Sequence, residues 1–414
     1  MNAQTVTQSD IAKTVDLSAG LSCAYKVVKE HSDASAAMNL ASVGEIFEVP
    51  GLTGLKTYVK TNTSALVPEP TPGYVFDMQR LLTVLMVSGM LQITRDGVLP
   101  KVEYRAIVAT GPTGSGKTSL FKEIAARLGV DVYFQSCTED MEEGDLKGAF
   151  QLALPVDSDG NIAGTTPVMQ WIDAPLLQAM RFGGWAILDE INLLHKGVVG
   201  FLNHVLETGT FQIHQTREVV KVHPDFRVFA SGNAIDGENA SSYPGAKRMN
   251  IALLDRFMKM KVGYLTDTQI ESSFFDLLKR DVQPEGVVED AINSEGILAE
   301  VEIIQKSYPK LPGEMVAEMV ETAIQLRQSF RQGDLPAPLS TRGLRGWASL
   351  IITAPRKRFD KEKGKMVPVT WGEVMFDTLK LTYLNLLSSD ELDAATQFLA
   401  TRWASIGQRD LEIQ

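Results

Sequence analysis

The chain has 414 residues, 44% of them hydrophobic and 22% charged, with a formal net charge of −11. That much apolar material supports two or three compact units and excludes a wholly disordered chain. The acidic surplus argues against a surface built to lie along nucleic-acid phosphates. Two cysteines, Cys23 and Cys137, sit far apart and suit neither a disulfide framework nor a zinc site, so a reducing, cytoplasmic setting is expected. The first residues lack the basic and apolar regions of a secretion signal. The longest apolar run, near Leu81 to Leu91, is broken by Thr83, Ser88 and Gly89 and is too short to span a bilayer.

In chain order, residues 1 to about 40 read as a polar, flexible arm, and 42–60 as a small ordered element. Residues 67–73 carry Pro68, Pro70 and Pro72 and read as extended linker, because each proline fixes its own φ and restricts the residue before it. These make up a first unit, 1–73. From 74 to 265 short apolar strands alternate with helices, the pattern of a parallel sheet covered on both faces. Strands are expected at 106–110, 132–135, 185–188 and 227–230, and a helix at 118–128. A hairpin is expected over 151–170, turned at 157–161. Beyond 265 the apolar period becomes helical, with helices at 269–278, 315–330, 341–353 and 372–387, giving an all-α second domain over 266–414. The basic stretch 356–365 reads as a solvated loop, with a contact for an acidic partner as the alternative.

One motif stands above the rest. Gly111, Pro112, Thr113, Gly114, Ser115, Gly116, Lys117 and Thr118 match G-x-x-x-x-G-K-[ST], between an expected strand and an expected helix. Glycines let backbone N–H groups turn toward phosphate oxygens, and the helix N-terminus adds a favourable dipole. Lys117 is placed to reach the β- and γ-phosphates of ATP, and Thr118 to put its hydroxyl on Mg²⁺. The strand at 185–188 then runs into Asp189, suited to the Mg²⁺ shell, and Glu190, suited to polarising the attacking water. A third strand leads to Asn233, whose amide can hold that water. Arg256, in Leu253-Leu254-Asp255-Arg256-Phe257, can stabilise charge on a transferring phosphoryl group, in cis or in trans, or form a structural pair with Asp255. Arg342, in Ser340-Thr341-Arg342 at a helix start, can reach the γ-phosphate from the second domain, with Arg345 as the substitute one turn on.

These five elements, in this order, resemble the AAA+ superfamily: a P-loop α/β core with helices on both faces of a parallel sheet, followed by a smaller helical lid. Asp189-Glu190-Ile191-Asn192, the Leu-Asp-Arg-Phe box and the Ser-x-Arg helix are similar to its MoxR-type branch. The resemblance implies a homo-hexamer in which Arg256 completes the neighbour's site, and places the 151–170 hairpin at the ring pore. Ser42 to Phe47, Ala65 to Asp77, Val205 to Gly209 and His223 to Ala230 are similar to the cobaltochelatase ATPase subunits of the CobS type. That implies a von Willebrand-type partner and a large tetrapyrrole-binding subunit as separate chains, with ATP driving Co²⁺ insertion into a corrin. The chain departs from that family in its added N-terminal arm. CobS-like ATPases also occur in bacteria and phages outside cobalamin pathways, so a MoxR-type remodeller acting with a von Willebrand-type partner on another client is the alternative. The five histidines reach no metal-ligand spacing, so no cobalt site is expected in the chain, nor is membrane or nucleic-acid binding.

Overall fold

The computed structural model describes residues 38–49, 52–61, 64–92, 106–155, 164–215, 217–233, 250–265, 296–355, 357–360, 365–404, 407 and 409. Of the arm expected over 1 to about 40, residues 1–37 lie outside them and the last residues belong to a strand; the helix at 269–278 and the turn expected at 157–161 also lie outside them.

The first elements are β1 (Met38–Ser42), α1 (Val43–Ile46), β2 (Lys56–Lys60), α2 (Met78–Ser88) and β3 (Leu91–Gln92). β1, β2 and β3 form an antiparallel sheet, with Ser42 opposite Lys56 and Thr57 opposite Leu91. α2 starts where the Asp77 side chain accepts from the Arg80 N–H, and stops at Gly89, whose φ of 74° a side chain would resist.

The central sheet is built from β4 (Ala106–Thr110), β5 (Val132–Ser136), β8 (Trp185–Asp189), β11 (Arg227–Gly232) and β12 (Met258–Lys261). Their order is β12-β4-β11-β8-β5 and every pairing is parallel. The connections are α3 (Lys117–Leu128), α4 (Glu143–Lys147), β6 (Ala149–Ala153), β7 (Val168–Ile172), α5 (Pro175–Phe182), α6 (Lys196–Thr208), β9 (Thr210–Ile213), β10 (Glu218–Lys221) and α7 (Ile251–Leu254). Successive strand residues point to opposite faces. Val108, Leu188 and Ala230 pack with α5 and α6 on one face; Ile107, Ile187 and Phe229 pack with α2 and α3 on the other. The second face also takes in Val43, Phe47 and Leu52, so the segment before the linker shares the core of the sheet. Phe229 stacks between Trp185 (4.4 Å) and Phe121 (4.8 Å), contacts that add about 0.5–1.5 kcal/mol each beyond burial.

Two hairpins leave this core. β6 pairs with β7, as the sequence pattern suggested, and β9 pairs with β10, which it did not. Arg181 ties their feet together, donating to Asp173 (2.5 Å) and Glu218 (2.8 Å).

The helical region comprises α8 (Gly296–Ser307), α9 (Gly313–Gln332), α10 (Thr341–Thr353), α11 (Trp371–Thr382) and α12 (Ser389–Arg402) around Met315, Trp347, Met375 and Leu399. The expected loop at 356–365 is instead largely a hairpin of β13 (Lys357–Asp360) and β14 (Lys365–Pro368), pairing Phe359 with Met366. Among the described residues, no helix is long and apolar enough to cross a membrane.

Candidate functional site

The site grows from the end of β4, next to the point where the strand order reverses, which is where open parallel sheets hold ligands. Gly111 has φ 153°, and a Cβ there would lie 2.1 Å from the Val262 carbonyl oxygen, so the loop packs directly on backbone leaving β12. Gly114 (φ 70°) and Gly116 (φ 88°) are left-handed. Gly116 caps α3 without a side-chain hydrogen bond, leaving the first N–H groups of the helix available to an anion. Ser115 Oγ is buried without a partner, and a Cβ on Gly116 would meet nothing within 4 Å. This is an open, donor-lined cradle, and a phosphate chain fits it.

Lys117 is 8% exposed, and its Nζ donates to the carbonyls of Gly111 (3.0 Å) and Pro112 (2.8 Å) and to Asn233 Oδ1 (2.8 Å). All three ammonium hydrogens are therefore used, and Asn233 is brought from β11 onto the loop. Burial pushes the Lys117 ammonium down to about 8; Asp189 and Glu190 oppose the shift and Arg342 adds to it. Thr118 Oγ1 donates to Asp189 Oδ1 at 2.8 Å. Ser231, fully buried on β11, donates to the same oxygen and lies 3.2 Å from the Thr118 hydroxyl. These oxygen ligands suit a hard divalent cation such as Mg²⁺. Ser231 escaped the sequence reading, although its place two residues before Asn233 on a strand beside β8 was the available signal.

Glu190 is exposed and left-handed at φ 57°, ψ 40°, a conformation costing about 1–3 kcal/mol for a non-glycine residue. A turn holds it, with Leu193 N–H donating to the Glu190 carbonyl at 2.9 Å. Arg342 comes from α10: its Cβ is 3.6 Å from where a Cβ on Gly114 would stand. Arg256 behaves differently. Its guanidinium donates to the Ala252 carbonyl (2.6 Å) and to Glu207 on α6 (2.5 Å), while its Nε is buried without a partner. Asp255 is not among those partners.

A cavity of about 440 Å³ runs from Gly114, Ser115 and Gly116 to Tyr74 and Val75, with Arg342 and Arg345 on its lid side. The proline-rich linker thus forms a wall of the cavity. It is anchored by Glu123, which accepts the Thr71 N–H (3.1 Å) and pairs with Arg127 (2.5 Å). The Arg127 guanidinium covers the Phe76 ring at 4.8 Å. Proline content alone marked this stretch as a tether; the buried Glu123 that fixes it is 52 residues further on.

Residues 106–257 match the AAA domain of the dynein-related subfamily, and residues 300–358 match the CbbQ/NirQ/NorQ C-terminal region. Over 258 residues the chain is 27% identical to midasin of Dictyostelium discoideum, covering 61% of this chain and 4% of midasin. It is 30% identical over 193 residues to an uncharacterized protein of Staphylococcus haemolyticus, covering 45% of this chain and 65% of that one. The chain therefore spans less than two thirds of either relative. The crystal structure of NtrX from Brucella abortus superposes with a TM-score of 0.39 at 17% identity, over 81% of this chain and 63% of NtrX, too loosely to add weight. The two matched regions, in this order on one chain, support an AAA+ ATPase of the MoxR/CbbQ type.

Proposed function

We propose that the chain hydrolyses ATP as a subunit of a ring, a homo-hexamer, and turns the cycle into work on a partner complex. The observation that carries this is the meeting at one cradle of Lys117, Asn233 and the Thr118–Asp189 pair, with left-handed Glu190 at the end of the adjacent strand. In this reading the phosphates take the Gly111–Thr118 loop, and the Lys117 ammonium exchanges its carbonyl partners for phosphate oxygens. Thr118 and Asp189 would hold Mg²⁺, which would supply positive charge against the phosphates. Glu190 orients and polarises water, and Asn233, released from Lys117, holds that water in place. Arg342 contacts the terminal phosphate from the lid. Arg256 works in trans: its guanidinium is held by Ala252 and Glu207 and not by the residues of its own cradle, so its place in the reaction is at a neighbour's site.

The client is the finer question. Cobalt insertion into a corrin, with a von Willebrand-type partner and a tetrapyrrole-binding subunit, is one reading. The entry segment behind it walls the nucleotide cavity, so those residues bear on the motor more than on the client. The match to a CbbQ/NirQ/NorQ C-terminal region favours the second reading, a remodeller or activase working with a von Willebrand-type partner on another protein. Glu190→Gln, tagged, held in ATP and recovered from its native lysate, separates them. Recovery of a tetrapyrrole-binding subunit establishes the first, and recovery of a different client with a von Willebrand-type protein the second. Recovery of neither sinks both.

A further inference from the structure

A run of contacts joins the phosphate loop to the helix that carries Arg342, through a buried ion pair that the phosphate chemistry does not use. Tyr264, three residues past β12, donates its hydroxyl hydrogen to the Thr113 carbonyl in the loop at 2.9 Å. The guanidinium carbon of Arg327, on α9, stands 4.1 Å from the centroid of the same ring. Arg327 is 1% exposed and donates to Glu300 Oε2 (2.8 Å), Glu300 Oε1 (3.1 Å) and the Leu339 carbonyl (2.7 Å). Glu300, on α8 and fully buried, also accepts from the Thr341 hydroxyl at 2.6 Å. Thr341 is the first residue of α10, and Arg342 is the second.

Each link is stiff for a physical reason. A two-toothed guanidinium–carboxylate pair fixes distance and rotation together. Both charges are removed from water and hydrogen-bonded, so neither can drift without exposing an unpaired charge to the protein interior. The Arg327 Nε–H pins Leu339, the residue before the Ser340 cap of α10. The cation lies over a ring whose hydroxyl is committed to the loop.

We propose that Tyr264, Arg327, Glu300 and Thr341 are positioning residues that couple the phosphate loop to Arg342. A phosphate chain that shifts the Thr113 carbonyl thereby shifts the start of α10, so the loop and Arg342 respond to the terminal phosphate as one unit. The consequence is a preference for nucleoside triphosphate over diphosphate that depends on residues touching neither. The inference rests on the reading of the loop as a nucleotide site.

Two substitutions cut the run at its ends and leave the ion pair intact. Tyr264→Phe keeps the ring against Arg327 and removes the hydroxyl that donates to Thr113. Thr341→Val keeps the shape and removes only the bond to Glu300. The measurement is the ratio of ADP to non-hydrolysable ATP dissociation constants, taken on the full-length protein by displacement of a fluorescent ADP. Tyr264→Phe, which loses a neutral hydrogen bond, is expected to lower the triphosphate preference about fivefold, and Thr341→Val, which loses one to a carboxylate, at least as much. The double variant is expected to lower it no further than the stronger single, because a connection broken once is broken. Arg342→Ala should lower it at least as much, and Thr341→Val should add nothing in that background. Singles that leave the ratio unchanged, with or without a lowered melting temperature, overturn the coupling and leave these residues structural. A double variant whose effect is the product of the singles overturns it too, as does a wild-type protein without a preference. A wild-type protein that binds neither nucleotide overturns the nucleotide reading, and the coupling with it.

Discussion

Replacing Arg327 by methionine removes the cation from the buried pair while keeping an unbranched side chain of similar reach. Glu300, fully buried, then keeps only the Thr341 hydroxyl, and the Leu339 carbonyl loses its donor. Two unit charges about 4 Å apart interact by about 4 kcal/mol at an effective dielectric near 20. Breaking a buried pair by removing one partner costs about 3–5 kcal/mol for the same reason: the survivor is left charged and desolvated. Arg327→Met is therefore expected to lower the stability of the helical region by about 3–5 kcal/mol. Replacing both members by methionine should recover at least 2 kcal/mol of that, since apolar pairs of similar volume substitute well for buried ion pairs. Urea unfolding read on tryptophan fluorescence reports it, because Trp347, Trp371 and Trp403 all lie in the core of this region. A loss below about 1 kcal/mol for Arg327→Met would refute the reasoning. A double variant as unstable as the sum of the singles would refute it as well.

The two ends of the glycine loop should fail differently. Gly111→Ala drives a Cβ against the Val262 backbone and should cost at least ~2 kcal/mol of stability. Gly116→Ala meets no atom within 4 Å, so it should cost about 1–2 kcal/mol for its left-handed backbone yet weaken nucleotide binding at least tenfold; thermal shift and titration separate the two. Under the proposed shared site, Arg256→Ala and Lys117→Ala should each abolish turnover alone and regain part of it when mixed, because complete sites would form between unlike subunits. No recovery would count against a shared site. Burial, then the nearby Asp189 and Glu190 carboxylates, push the Cys137 thiol up to about 12, so at pH 8 its thiolate is scarce. In a Cys23→Ser background a disulfide reagent should modify native Cys137 at least ~100-fold more slowly than the urea-unfolded chain. Rates within tenfold would contradict the burial.

What the sequence discloses here follows from whether an interaction is local. β4, β8 and β11 are buried on both faces, so they read as unbroken apolar runs, and the phosphate loop is one contiguous string. Asp189 and Asn233 were legible because strand ends in a parallel sheet converge on one edge. β12 was not: Met258-Lys259-Met260-Lys261 is short, alternating and at the sheet edge, and its lysines conceal the buried Met260. The β9–β10 hairpin was hidden the same way, with Phe211 and Ile213 buried between polar neighbours and Val220 buried beside Lys221; Lys357-Arg358 and Lys365 gave β13–β14 the look of a solvated loop. Ser231 looks like any small strand residue until its neighbour Asp189 is placed beside it. Arg327 and Glu300 occupy inward positions on two amphipathic helices and are 27 residues apart, so no period in the chain marks them as partners. The cavity wall at Tyr74 was missed because prolines report backbone restriction and say nothing of what the segment packs on.

The most direct test of the account compares wild-type, Lys117→Ala and Glu190→Gln proteins for binding of fluorescent ATP and for release of phosphate under the same conditions. Wild type and Glu190→Gln are expected to bind and Lys117→Ala is not, with turnover by the wild type alone. A wild-type protein that binds no nucleotide, or a Glu190→Gln protein that turns over ATP as fast as the wild type, would contradict it.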